Sequence, residues 1–123
     1  MKENVIITGA SGQIGSVIAE ALVAAGCRVV GTVRSPDEVE SLTRPGLTAR
    51  VVVLTVEDDV NAFVDGIDPV PVAAILTVGG FAMGGFAETT TDQIRNMCRL
   101  NFDTAYHLVR RLLPLFEGRG GGQ

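Results

Sequence analysis

Thr8-Gly9-Ala10-Ser11-Gly12-Gln13-Ile14-Gly15 is the stretch on which the reading of this chain turns. It follows Val5-Ile6-Ile7-Thr8, a β-rich run whose unbroken apolar character suits a strand buried on both faces of a parallel sheet. It precedes a segment in which Ile14, Val17, Ile18, Ala21, Leu22 and Ala25 recur at three- and four-residue spacing, closed by Gly26, which is the pattern of an amphipathic helix. Glycines joining a strand to a helix have three physical uses: a turn with unusual backbone angles, close approach of N–H groups to phosphate oxygens, and tight packing of helix on strand. Gly9, Gly12 and Gly15 fit those uses in that order. Three glycines would also serve simply to connect the two elements; the strand before and the helix after favour a ligand. The sequence therefore predicts a dinucleotide pyrophosphate held around Gly9, Ser11, Gly12, Gln13, Ile14 and Gly15.

Outward from this motif, strands and helices alternate. Residues 27–33 (CRVVGTV) read as a second strand, and Ser35-Pro36-Asp37-Glu38 as a helix start with a cap, a proline in the first turn and acidic side chains on the dipole. Residues 50–54 form a third strand, Val60, Phe63, Val64 and Ile67 the apolar face of a short helix, and residues 72–78 (VAAILTV) a fourth strand. Thr90-Thr91-Asp92-Gln93 has capping-box spacing, and a long helix follows through Ile94, Met97, Cys98, Asn101, Ala105, Leu108, Val109 and Leu112. Pro114 and the glycines after Glu117 are expected to end it. The fold class is α/β: a Rossmann-like, doubly wound parallel sheet in the order 3-2-1-4, forming one nucleotide-binding domain over residues 1–123. The Gly120-Gly121-Gly122-Gln123 tail reads as a stop in mid-architecture, truncated after about four strands where a fifth is expected.

Composition narrows the partners. Hydrophobic residues make up 46% against 20% charged, with positive mean hydropathy, so the chain is globular rather than disordered. The net charge of −4 carries no basic run, which argues against nucleic acid. No apolar stretch reaches the roughly 18 to 20 residues of a bilayer span, and the first strand starts too close to Met1 for a signal peptide, so a cytoplasmic protein without membrane contact is expected. Cys27 and Cys98 lack metal or disulfide spacing and are expected to be buried thiols.

TGASGQIG, the Val78-Gly79-Gly80 after the fourth strand and the asparagine within RLNFDTAYHLVRRLLPLF together resemble the short-chain dehydrogenase/reductase family, and the resemblance spans essentially the whole chain. The TGxxGxxG spacing is similar to that of the family's extended and divergent branches, the commoner form being TGxxxGxG. The resemblance implies an oxidoreductase that passes hydride between a nicotinamide dinucleotide and a carbonyl or alcohol carbon. Where the family usually has NNAG after the fourth strand, this chain has Thr77-Val78-Gly79-Gly80, which lacks the asparagines' sheet-stabilising amides but keeps glycines, Gly79 and Gly80, for close approach to a ribose.

An acidic residue at the end of the second strand recognises a free ribose diol, whereas a 2′-phosphate prefers an arginine. No acidic residue lies between Glu20 and Asp37, and the second strand ends Gly31-Thr32-Val33-Arg34-Ser35. NADP(H) is thus favoured over NAD(H), with Arg34 and Ser35 at the 2′-phosphate. Thr55 replaces the family's aspartate near the adenine, leaving Thr55, backbone near Val56 and, less directly, Asp58 for that ring.

Of the family's catalytic groups only the supporting relay asparagine is placed, at Asn101. Tyr106, the sole tyrosine, is followed four residues later by Arg110, so there is no YxxxK, and His107, the only histidine, is expected to be structural. Two functions remain open: the cofactor-binding portion of an NADP(H)-dependent oxidoreductase, inactive alone, or a non-catalytic nucleotide-sensing or interaction module of the same fold. A homo-oligomer through helix 91–116 or the fourth-strand edge is expected, as the family's habit and an exposed apolar edge both imply.

Overall fold

A computed structural model describes residues 2–123. Strands β1 (Asn4–Thr8), β2 (Arg28–Val33), β3 (Leu47–Val51) and β4 (Ala73–Leu76) form one sheet in the order β3-β2-β1-β4, with every pairing parallel. Helices α1 (Gln13–Ala24), α2 (Pro36–Leu42) and α3 (Glu57–Asp65) alternate with them, and α4 (Thr91–Cys98) runs through a π-helical turn (Arg99–Asp103) into α5 (Thr104–Gly118).

The period-two geometry of strands sends neighbouring side chains to opposite faces. On one face Ile6 and Val30 meet Val60, Phe63 and Val64 of α3 and Leu108 and Leu112 of α5. On the other, Ile7 and Val29 meet Ala19 of α1, with Ile18, Leu22, Val23 and, from α2, Leu42 packed alongside. Each fully buried Ile, Val or Leu contributes about 1.5–3 kcal/mol from apolar area removed from water, so these two layers hold the sheet.

The observed helix faces differ from those the spacing predicts. On α1 the side chains of Ile14 and Val17 are exposed, while Gly15, Ile18, Ala19, Leu22 and Val23 turn inward. The buried stripe is displaced by about one residue, or ~100° around the helix, because the close contact of Gly15 and Ala19 with the sheet outweighs the larger side chains beside them. On the long helix the stripe passes through Met97, Leu100, Thr104, Leu108 and Leu112, leaving Ile94, Cys98 and Val109 exposed. The π turn inserts an extra residue into the helical phase, which a constant period of 3.6 cannot represent. Pro114 lies inside α5 rather than ending it; the turn beyond it sets Leu115 and Phe116 against the core, offsetting the backbone bond that proline removes.

Three further expectations are corrected. The third strand is 47–51 rather than 50–54, because Leu47 and Ala49 alternate inward while Val52 and Leu54 fold over the strand's C-terminal end. Cys27 is half-buried and Cys98 exposed, both as free thiols, since each sits on a helix flank or exit rather than in either core layer. The outer edge of β4 is not bare: the Gln123 N–H donates to Val72 O (3.0 Å) and Ala74 N–H to Gln123 O (2.8 Å), the bonding of a parallel neighbour. No helix among the described residues is long and apolar enough to cross a membrane.

Candidate dinucleotide-binding site

The sheet reverses its strand order between β1 and β4, and the crevice beyond the carboxyl ends of strands at such a point is where open α/β folds bind ligands. A cleft of ≈ 840 Å³ lies there. It is lined by Gly9, Ser11, Gly12, Gln13, Ile14 and Gly15 from the first turn, Arg34 and Glu38 beyond β2, Thr55 beyond β3, and Thr77, Val78, Gly79 and Gly80 beyond β4.

The glycine turn is built by mutual contact. Gly9 has φ +70°, and a side chain there would meet Thr77 Oγ1 and Val78 Cγ2. Its carbonyl accepts the Gly12 N–H at 3.0 Å and lies so close to α1 that a Cβ on Gly15 would stand 2.1 Å from the oxygen. Gly9 N–H and Ala10 N–H are taken by the Thr32 hydroxyl (3.2 Å) and carbonyl (3.0 Å) of β2. The donors left for a ligand are those of the first turn of α1, where Gln13 and Ile14 have no carbonyl one turn back within the helix. Gly12 itself, where an added Cβ would touch only Gly9 O at 3.3 Å, keeps the approach to them open. This cradle fits a pyrophosphate: backbone N–H groups, helix-end polarity and no side chain in the way.

Across the cleft, Thr77 does the sheet-stabilising work that the sequence withholds from asparagines. Its N–H donates to Thr8 Oγ1 (3.1 Å) and its hydroxyl to Thr8 O (2.6 Å), stitching the ends of β1 and β4 together. Gly79 and Gly80 line the cleft, but the spaces their missing side chains leave are filled from the long helix: a Cβ would meet Asn101 Oδ1 at Gly79 and Leu100 Cδ1 at Gly80.

Asn101 is exposed rather than set in the apolar stripe, and its amide is fully used. It accepts from Gly80 N–H and donates to Gly80 O, both at 3.0 Å, and donates also to Met97 O at 2.9 Å. Met97 O is the acceptor an undisturbed α-helix would offer to the Asn101 N–H, and Thr104 Oγ1 likewise takes Leu100 O (2.7 Å). Side chains entering the ladder at two successive sites account for the π turn. His107 Nδ1 donates to Leu54 O (2.9 Å), tying α5 to the loop after β3.

At the far end the arrangement departs from what the chain order implies. Arg34 is exposed, and among the described residues its guanidinium makes no ion pair or hydrogen bond. Glu38, from the first turn of α2, reaches back instead: its carboxylate accepts from Ser11 Oγ (2.9 Å), Arg34 N–H (2.9 Å) and Ser35 N–H (3.0 Å). The Ser11 hydroxyl first and the Arg34 amide next, with lesser help from the Ser35 amide and the Arg34 guanidinium, hold this carboxyl below its ordinary 4.5 against the opposing effect of desolvation. The Ser35…Glu38 capping-box spacing in the sequence carried this signal, because such a glutamate returns to the backbone before its helix.

Ser35 and Val56 do not line the cleft. Ser35 is engaged with Glu38, while Val56 gives its N–H to Val53 O (3.0 Å) and its carbonyl to Val60 N–H (3.2 Å), so the backbone expected to read an adenine there is already paired. Thr55 remains at the cleft, half-buried; Asp58 is exposed on α3 outside it. No cluster of side chains able to hold a metal occurs among the described residues.

A family model described as short chain dehydrogenase matches residues 3–123. The chain is 31% identical over 127 aligned residues to an uncharacterized oxidoreductase, YbbO, of Escherichia coli, covering 100% of this chain and 47% of that protein. Over 67 residues it is 45% identical to a putative uncharacterized oxidoreductase of Schizosaccharomyces pombe, covering 51% of this chain and 20% of that one. Among solved structures, a short-chain dehydrogenase from Streptomyces avermitilis superposes with a TM-score of 0.90 at 29% identity over 99% of this chain and 47% of its own. ElxO with NADP bound superposes at 0.92 and 22% identity, covering 99% of this chain and 53% of its own, a likeness of fold. The chain spans about half the length of the curated relatives it matches over its whole extent.

Proposed function

The chain belongs to the short chain dehydrogenase family, whose members use nicotinamide cofactors, and on that premise we propose that it is the cofactor-binding portion of an NADP(H)-dependent oxidoreductase acting on a carbonyl or alcohol substrate. The observation that carries this reading is the cleft itself: a glycine cradle and the N–H groups of a helix's first turn at its centre, and at one end an arginine that forms no ion pair among the described residues. The structural likeness to ElxO, which binds NADP, supports the same choice of dinucleotide.

In this reading Gln13 and Ile14 N–H groups hold the pyrophosphate, with Gly12 admitting it and Ser11 at its flank. Arg34 meets the 2′-phosphate with a charge-assisted contact, and Thr55 edges the adenine. At the other end Gly79 and Gly80, the latter held by Asn101, form the wall beside the nicotinamide ribose. When bound, the nicotinamide ring gives or takes the hydride. A carbonyl accepting it also needs a proton donor, and Tyr106 lies in the long helix with Arg110, not lysine, four residues on. Asn101 is proposed as a supporting relay residue only, and this chain alone is expected not to turn over. Association into a homo-oligomer through the long helix is part of the proposal.

Calorimetric titration of the wild-type chain and of Arg34→Ala with NADPH and NADH tests the assignment. The substitution should weaken NADPH by about 1–3 kcal/mol, the worth of a charge-assisted contact, and leave NADH almost unchanged. Equal losses for both would overturn it.

A further inference from the structure

The seat that a 2′-phosphate would need is already filled by an anion from the chain. Ser11 Oγ, Arg34 N–H and Ser35 N–H converge on one carboxylate, that of Glu38, at 2.9, 2.9 and 3.0 Å, and the Arg34 guanidinium, which acts on it through charge but is not ion-paired with it, has no partner among the described residues. Ser11, Arg34 and Glu38 all line the cleft, so this cluster belongs to the ligand's wall rather than to a remote surface. The Ser11 hydroxyl and the Arg34 amide, with the Arg34 guanidinium charge nearby, are suited to a phosphate monoester. The seat holds one anion at a time, because two oxyanions sharing the same donors repel.

Resting on the NADP(H) reading above, we propose that the Glu38 carboxylate occupies the 2′-phosphate seat of the cleft and must leave it when NADP(H) binds, which makes Glu38 the residue that sets the preference between the two dinucleotides. Each 2′-phosphate that enters takes over bonds that the carboxylate surrenders, so Glu38 reduces the advantage that Arg34 confers. The 2′-hydroxyl of NAD(H) brings no charge and needs no displacement; the seated carboxylate accepts a hydrogen bond from it.

Glu38→Gln separates the charge from the fold, since the amide oxygen still accepts the Ser35 N–H and keeps the capping box. Titration of the full chain with NADP+ and NAD+ should show this variant binding NADP+ about tenfold more tightly than wild type, and NAD+ unchanged within about threefold. In the wild-type chain, NADP+ should shift the amide resonances of Arg34 and Ser35 strongly and NAD+ far less, a reading that needs no variant. An unchanged NADP+ to NAD+ affinity ratio in Glu38→Gln overturns the inference and leaves the NADP(H) reading standing. A wild-type preference for NAD+ that reverses in the variant upholds the inference and overturns the NADP(H) reading. Binding of neither dinucleotide overturns both.

Discussion

Asn101 and Gly80 are joined by a reciprocal pair of hydrogen bonds, each of 3.0 Å, between one side-chain amide and one backbone unit. The pair fixes the turn after β4 to the long helix at its π turn, and the glycines of that turn make room for it. Asn101→Ala removes both bonds and frees Met97 O to take its helical partner. We expect a loss of about 1–2 kcal/mol in urea unfolding, two exposed bonds being offset by a more regular helix. Binding of both dinucleotides should weaken together, since the wall they share loses its support. A variant with unchanged unfolding and affinity would show that the pair holds nothing in place.

Gly15 is the tightest point of the glycine turn. Any side chain on it meets a backbone carbonyl at 2.1 Å, and backbone cannot rotate away as a side chain does. Gly15→Ala should therefore cost about 3 kcal/mol or more and abolish dinucleotide binding, while Gly12→Ala, whose Cβ meets Gly9 O only at 3.3 Å, should fold nearly as well as wild type and lose affinity. Comparison of the two by denaturant unfolding and calorimetry checks the order.

The fold was legible because its signals are local. The strand run 5–8, the glycines and the alternation that follows dictate a parallel sheet reversing beside β1, and the sheet is built in that order. The helix faces were less legible. Ile14 and Val17 attract any reading by hydropathy, yet the packing of α1 is decided by how closely Gly15 can approach Gly9 O, a distance that spacing does not encode. The π turn arises from Asn101 and Thr104 side chains entering the ladder, which likewise leaves no periodic trace. In the site, the absence of an acid between Glu20 and Asp37 is real in sequence but not in space, because the capping box of α2 brings the Glu38 carboxylate back beside Arg34.

Acid should expose that carboxylate's role in the folded chain. A group held below its ordinary value contributes stability that is complete above the unfolded pKa and is lost as pH falls through the folded one. The difference in thermal midpoint between wild type and Glu38→Gln should thus be constant above the ordinary 4.5 and shrink below it. A difference that grows on acidification would contradict the hydrogen bonds assigned to Glu38.

Phe102, Tyr106, Val109 and Leu113 are 64%, 50%, 48% and 53% exposed and recur at three- and four-residue spacing, so one stripe of the long helix faces solvent. The outer edge of β4 is partly capped by Gln123, which leaves this stripe as the surface through which association is expected. Sedimentation should find a homo-oligomer that Val109→Asp dissociates. A wild-type monomer at about tens of micromolar would rule the stripe out.

A crystal structure of the chain with NADPH measures directly whether a nicotinamide dinucleotide lies across the ends of β1 and β4. The pyrophosphate is expected within hydrogen-bond reach of the Gln13 and Ile14 N–H groups, the 2′-phosphate beside Arg34 and the nicotinamide ribose against Gly79 and Gly80. NADPH bound elsewhere, or a cleft that stays empty in saturating NADPH, would contradict it.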